Sequence, residues 1–99
     1  MTKIDLYNAK NSGSKIEKDM VLKIVDVDTF GDTDKDGHDV TVTALKTVDG
    51  EMFTTVSGTI ASSVDMLKDI IADVDEVTVK VIEKTSNGGR AFYQLSIIS

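Results

Sequence analysis

Apolar residues recur with a period of two through most of this chain, and the period lengthens to that of a helix in one stretch only. Met20 to Asp28, Val40 to Leu45, Glu51 to Ser57, Glu76 to Glu83 and Arg90 to Ile98 alternate along the sequence, the pattern of strands that send successive side chains to opposite faces. In the first of these, Met20, Leu22 and Ile24 point one way while Val21, Lys23, Val25 and Val27 point the other, so both faces are partly apolar, as in a barrel. From Ile60 the spacing changes: Ile60, Val64, Leu67, Ile71 and Val74 fall on one side of a helix, with Thr59 or Ser62 as N-cap and Asp65 near its positive end. Lys3 to Tyr7 also alternates and reads as a short leading strand, followed by a flexible polar loop from Asn8 to Ser14. Phe30 to Asp39 is rich in Gly and Asp and reads as a long hairpin loop, and Asp49-Gly50 and Asn87-Gly88-Gly89 mark tight turns.

The predicted order is therefore β-β-β-α-β-β with a short leading strand. That order predicts an all-β protein with one helix, built as the five-stranded, partly open Greek-key barrel known as the OB-fold. Ninety-nine residues suffice for one core and leave little for a second, so residues 1–99 are expected to form a single OB-like domain. No proline or low-complexity tract marks a boundary. The chain contains no cysteine, which excludes disulfides and thiolate metal sites. It shows neither a signal-peptide core nor the roughly 18 apolar residues of a membrane span, so a cytoplasmic protein without membrane contact is expected.

A net charge of −6 argues against a nucleic-acid partner until its distribution is considered, because phosphate binding draws on Lys and Arg. Residues 1–25 and 77–99 each carry +2, whereas residues 26–39 and 40–76 each carry −5. The acid is local, and a less acidic binding face remains at the two ends of the chain.

Few residues point to chemistry. Asp32-Thr33-Asp34-Lys35-Asp36-Gly37 opens like an EF-hand calcium loop, but Thr43 stands where the bidentate Glu belongs and the segment joins strands rather than helices. A solvated hairpin loop is the expectation, and the lone His38 within it has no partner that would make it a base. There is no Cys nucleophile, no Ser or Thr with an arguable base, and no phosphate-binding Gly loop, since Gly88-Gly89 lacks the following Lys. No enzyme, no cofactor and no metal are expected. What remains is the combination used by single-strand binders, aromatic rings for stacking beside cations for the backbone. The aromatics are Tyr7, Phe30, Phe53, Phe92 and Tyr93. In the last strand Ala91, Tyr93, Leu95 and Ile97 share a core-like face, which leaves Arg90 and Phe92 together on the other as a phosphate and stacking pair. Lys23 and Lys80 are mid-strand cations suited to the same task.

Several segments together resemble the small single-stranded DNA-binding proteins of phages that replicate by protein-primed synthesis. They are Ile4-Asp5-Leu6-Tyr7-Asn8-Ala9, Ser12-Gly13-Ser14, Phe30-Gly31-Asp32, Val40-Thr41-Val42-Thr43, Val48-Asp49-Gly50-Glu51-Met52-Phe53, Val56-Ser57-Gly58-Thr59-Ile60-Ala61, Val79-Lys80-Val81 and Gly89-Arg90-Ala91-Phe92-Tyr93-Gln94-Leu95. Their common order along most of the chain carries the resemblance. It implies an OB-like barrel that coats single-stranded DNA without sequence preference during phage replication, in the host cytoplasm, with Tyr7, Phe53, Phe92 and Tyr93 at the family's aromatic positions. The competing expectation is an acidic protein-binding module, such as a phage inhibitor that mimics DNA, using the carboxylates of residues 26–39 and 65–76.

Overall fold

A straight strand of 13 residues would span about 40 Å, longer than any dimension of this molecule, whose principal extents are 36 × 30 × 20 Å. A computed structural model describes residues 1–99, and its longest strand, β2 (Val21–Thr33), bends. The device is a bulge: Ile24 pairs with Thr47 and Asp26 with Lys46, which leaves Val25 as an extra residue. An inserted residue bends its strand and strengthens the twist. It also resets the alternation, so Val27 joins Leu22 and Ile24 in the core. The expectation that Val27 points away from them is thereby corrected, and the two apolar faces read in Met20 to Asp28 are largely one face interrupted by the bulge.

Around β2 the other elements follow. Helix α1 (Lys3–Ser12) and the two-residue strand β1 (Ser14–Lys15) precede it. After it come β3 (Asp39–Thr47), β4 (Met52–Thr55), α2 (Gly58–Ala61), α3 (Val64–Val74), β5 (Val77–Thr85) and β6 (Ala91–Ile97). The six strands form one sheet in the order β1-β4-β3-β2-β5-β6. Every pairing is antiparallel except β1 with β4, which is parallel. The sheet curls into a half-barrel whose core gathers Leu22, Ile24, Val27, Leu45, Val79 and Val81 from the strands and Ile60, Val64 and Leu67 from the helices. No helix is long and apolar enough to cross a membrane.

The five long strands lie where the period of two placed them, with different ends. β2 runs on to Thr33 and the hairpin loop shrinks to residues 34–38, where Gly37 adopts a φ of +81°. The leading strand is corrected outright, because Lys3 to Tyr7 is helical. Thr2 and Asp5 form a capping box: the Asp5 amide donates to Thr2 Oγ1 at 3.1 Å, and the Thr2 amide donates to the Asp5 carboxylate at 3.3 Å. Such a box satisfies two free amides at a helix start and favours helix over strand. The single expected helix is divided in two at Ser62 and Ser63. Their hydroxyls donate to the carbonyls of Thr59 at 2.8 Å and Ile60 at 2.7 Å, competing with the helical ladder. Neither Thr59 nor Ser62 is the N-cap; Ser57 Oγ accepts from the Ile60 amide instead.

α1 lies against β4, with Ala9 buried, and Gly13 makes this possible. A Cβ at Gly13 would lie 2.4 Å from the Ala9 carbonyl oxygen and 2.8 Å from Thr54 Cγ2, one of them backbone. Gly13→Ala is expected to destabilise the protein by about 1–3 kcal/mol, as overpacking does. Thermal melting would detect this as a fall of several degrees, and an unchanged melting temperature would contradict the close approach.

Candidate nucleic-acid interface

β3 begins four residues before β4 can pair with it, since the β3–β4 register runs only from Thr43 opposite Thr55 to Lys46 opposite Met52. Residues 39–42 therefore have a strand neighbour on the β2 side alone. On the far side of the curl, β6 is an edge strand bonded only to β5. The amide of Ile98 donates to the carbonyl of Thr78. By the alternation of an antiparallel ladder, Ala91, Tyr93, Leu95 and Ile97 then aim their backbone groups away from β5. The Tyr93 carbonyl is engaged on that side, accepting from Ser57 Oγ at 3.0 Å.

Between these edges lies a cleft of about 760 Å³. Its walls are the end of α1 (Ala9, Lys10), Lys15 and Ile16, the outer half of the β2–β3 hairpin (Phe30, Asp32, Val42), residues 54–59, and Ala91, Phe92 and Tyr93. Phe30 stands opposite Val42 in the hairpin register, and Phe30, Phe92 and Tyr93 are each half-buried. Three aromatic residues thus contribute to the lining of one cavity, Tyr93 while also packing against the core, and aromatic rings are the surfaces on which bases stack. Lys10 and Lys15 oppose the single carboxylate of Asp32 among the lining residues, so the cleft carries +1 in a chain of net −6. Arg90 sits just before β6, exposed and free of any salt bridge, in a turn shaped by Gly89 at φ +79°.

The structure divides the residues singled out from sequence into four places. Phe92 and Tyr93 line the cleft and Arg90 adjoins it. Lys23 and Lys80 lie outside it on β2 and β5, where Lys23 pairs with Thr78, Lys80 pairs with Val21, and Lys80 Nζ is 4.0 Å from Asp19. Tyr7 is 69% exposed on α1 and also lies outside the cleft. Phe53, only 8% exposed, belongs to the core, so its expected stacking role gives way to packing. Sequence reasoning counted Phe30 among the aromatics without singling it out, and missed Lys10 and Lys15 as residues of the cleft. The signal for Phe30 was the unbroken alternation Asp28, Phe30, Asp32 on one strand face, hidden by reading that stretch as a loop.

Asp34, Asp36 and His38 come together at the hairpin tip with ligand atoms within 4.8 Å of one another. All three are exposed, and Asp34 Oδ1 accepts from the amides of Asp36 and His38 at 2.9 Å each, which closes the turn.

Residues 1–98 match the family model described as phage single-stranded DNA-binding protein. The chain belongs to this family. Relatives include the single-stranded DNA-binding protein of Bacillus phage B103, 29% identical over 97% of this chain and 86% of that one. Those of Bacillus phages PZA and phi29 are 26% and 27% identical, each over 95% of this chain and 83% of theirs. No solved structure matches the chain.

In this family member two carboxylates fasten helices to the sheet. Lys46 Nζ lies 3.3 Å from Asp5, tying α1 to β3, and Lys68 Nζ lies 3.1 Å from Asp28, tying α3 to β2. The Thr2 amide, helped by Lys46, holds the Asp5 carboxyl below its ordinary value. For Asp28, burial pushes upward, but the Thr29 amide and Lys68 together outweigh it and the net shift is down. Groups with lowered folded values lend stability that is present above the unfolded value of 3.8 and is lost as pH falls through the folded value. Melting temperature is therefore expected to drop on acidification below about pH 4, and Asp5→Asn should flatten part of that dependence. A melting temperature constant from about pH 6 to 2.5 would contradict both attachments.

Proposed function

We propose that this chain binds single-stranded DNA in the cleft between β4–α2 and β6, coating the strand without reading its sequence during phage replication in the host cytoplasm. The observation that carries this reading is that Phe30, Phe92, Tyr93, Lys10 and Lys15 line one open cavity, with Arg90 next in the chain to its wall residue Ala91. Each stacked base contributes roughly 1–3 kcal/mol whatever its identity, because every base has a π-face. The cations supply a phosphate attraction that salt weakens. Lys23, Lys80 and Tyr7 belong to a second, outer tier of contacts in this reading, reached only by a strand that continues beyond the cleft.

The fold supports the same reading at a finer level. We take the half-barrel as an open OB-type barrel of one domain. The meander β2–β3–β4 with β5 returning beside β2 is the Greek-key order, α2 and α3 fall between the third and fourth long strands, and one core cluster serves the chain. Family membership and the named activity of the phage relatives fit a binding protein rather than a catalyst.

The test is a fluorescence-anisotropy titration of labelled oligo-dT against a duplex control. Saturable binding to the single strand is expected, much poorer with duplex and weakened by salt. Phe92→Ala should reduce affinity about tenfold, the loss of one stacked base, while leaving the circular dichroism spectrum unchanged. An absence of oligo-dT binding at low salt would overturn the proposal and favour an acidic protein-binding module. Unaltered affinity in both Phe92→Ala and Phe30→Ala would remove the cleft as the site.

A further inference from the structure

Lys10 and Asp32 are the two residues shared by the cleft and a second, shallower groove of about 500 Å³, whose other lining residues are Gly31, Thr33, Asp39, Val40 and Thr41. The pair forms the wall between them, with Lys10 Nζ 3.8 Å from Asp32 Oδ1. Its two halves differ in freedom. Asp32 Oδ1 also accepts from the Thr33 amide at 2.8 Å, which fixes the carboxylate on β2. Lys10 occupies the last turn of α1 with its side chain 53% exposed, against 34% for Asp32. Exposed ion pairs of this kind are weak, and a long lysine side chain can turn to a new anion while the carboxylate stays. Beyond the wall the groove is acidic, since Asp39 joins Asp32 there against Lys10 alone.

Resting on the proposed DNA-binding role of the cleft, we infer that Asp32 is a built-in competitor for phosphate. A strand entering the cleft takes Lys10 from Asp32, and the freed carboxylate remains as a negative wall that keeps the strand on the Phe30 and Phe92 side. The exchange has a salt signature. A phosphate contact ordinarily releases condensed counterion and steepens the plot of log K against log salt by about 0.7 for a single strand. Here the carboxylate left behind regains its own ion atmosphere as the phosphate sheds a counterion, so the Lys10 contact depends on salt less than an ordinary phosphate contact does.

Anisotropy titrations of oligo-dT at several salt concentrations test this with Asp32→Asn, Lys10→Gln and the double variant. Asparagine keeps an oxygen for the Thr33 amide, so the local turn is retained. Asp32→Asn is expected to bind about three- to fivefold more tightly at low salt and to steepen the slope by up to about 0.7. Lys10→Gln alone should weaken binding with a change of slope well below about 0.7, and added to Asp32→Asn it should flatten that variant's slope by about 0.7. Weaker binding or an unchanged slope in a folded Asp32→Asn protein would overturn the inference. So would a slope flattened by about 0.7 in Lys10→Gln alone, which decides the matter even if Asp32→Asn does not fold. If the wild type binds oligo-dT, Phe92→Ala weakens it and the slopes nevertheless fail to move as expected, the competition falls and the cleft stands. If the wild type does not bind, both fall.

Discussion

β2 changes partner at Ile24, pairing with β5 over Val21–Ile24 and with β3 from there to Thr33, and the bulge at Val25 lets one strand serve both halves of the sheet. Because the bend keeps Leu22, Ile24 and Val27 on one side, the sheet closes around a single apolar core. Because β4 ends at Thr55, opposite Thr43, the edge of β3 before Thr43 is left without a strand. The cleft is the space that results. Its position is thus a consequence of strand register rather than of a loop added for the purpose, and its rings are held on strands, where side-chain placement is well defined.

The attachments at the periphery turn that gap into a site. α1 crosses beside β4 only because Gly13 admits the approach, and it brings Lys10 to the cleft, with Lys15 following on β1. Ser57 does two things within one hydroxyl: it caps α2 and holds the Tyr93 carbonyl across the seam. The charge pattern follows the same division. Acid accumulates on the hairpin tip, where Asp34 shapes the turn, and along α3, while the cleft retains a small positive balance. A strongly acidic chain can in this way offer a polyanion a local surface of the opposite sign.

How much of this was legible in the sequence depended on whether a pattern was local. The period of two located the five long strands, and the change of period at Ile60 located the helical segment, because each signal lies within its own element. The order of those elements pointed to a mostly β, barrel-like fold, although the sheet has six strands where a five-stranded barrel was expected. What failed was decided by other things. Alternation in Lys3–Tyr7 suggested a strand, yet Thr2 and Asp5 cap a helix, a three-residue spacing that outweighs five residues of weak pattern. The division of the helix came from two serine hydroxyls, and the burial of Phe53 from a register that places it opposite Leu45. Phe92 and Tyr93 were recognisable as neighbours on one strand. Their union with Phe30 required β2 and β6 to line opposite parts of one cleft, which no local pattern encodes.

The central claim is that single-stranded DNA lies against the rings of the seam. The chain has no tryptophan and two tyrosines, Tyr7 on α1 and Tyr93 in the cleft, so a Tyr7→Phe variant reports from the cleft alone. Its tyrosine emission should be quenched as oligo-dT is added, over the same concentration range in which anisotropy records binding. Binding without any change in Tyr93 emission would contradict the account and place the strand elsewhere on the molecule.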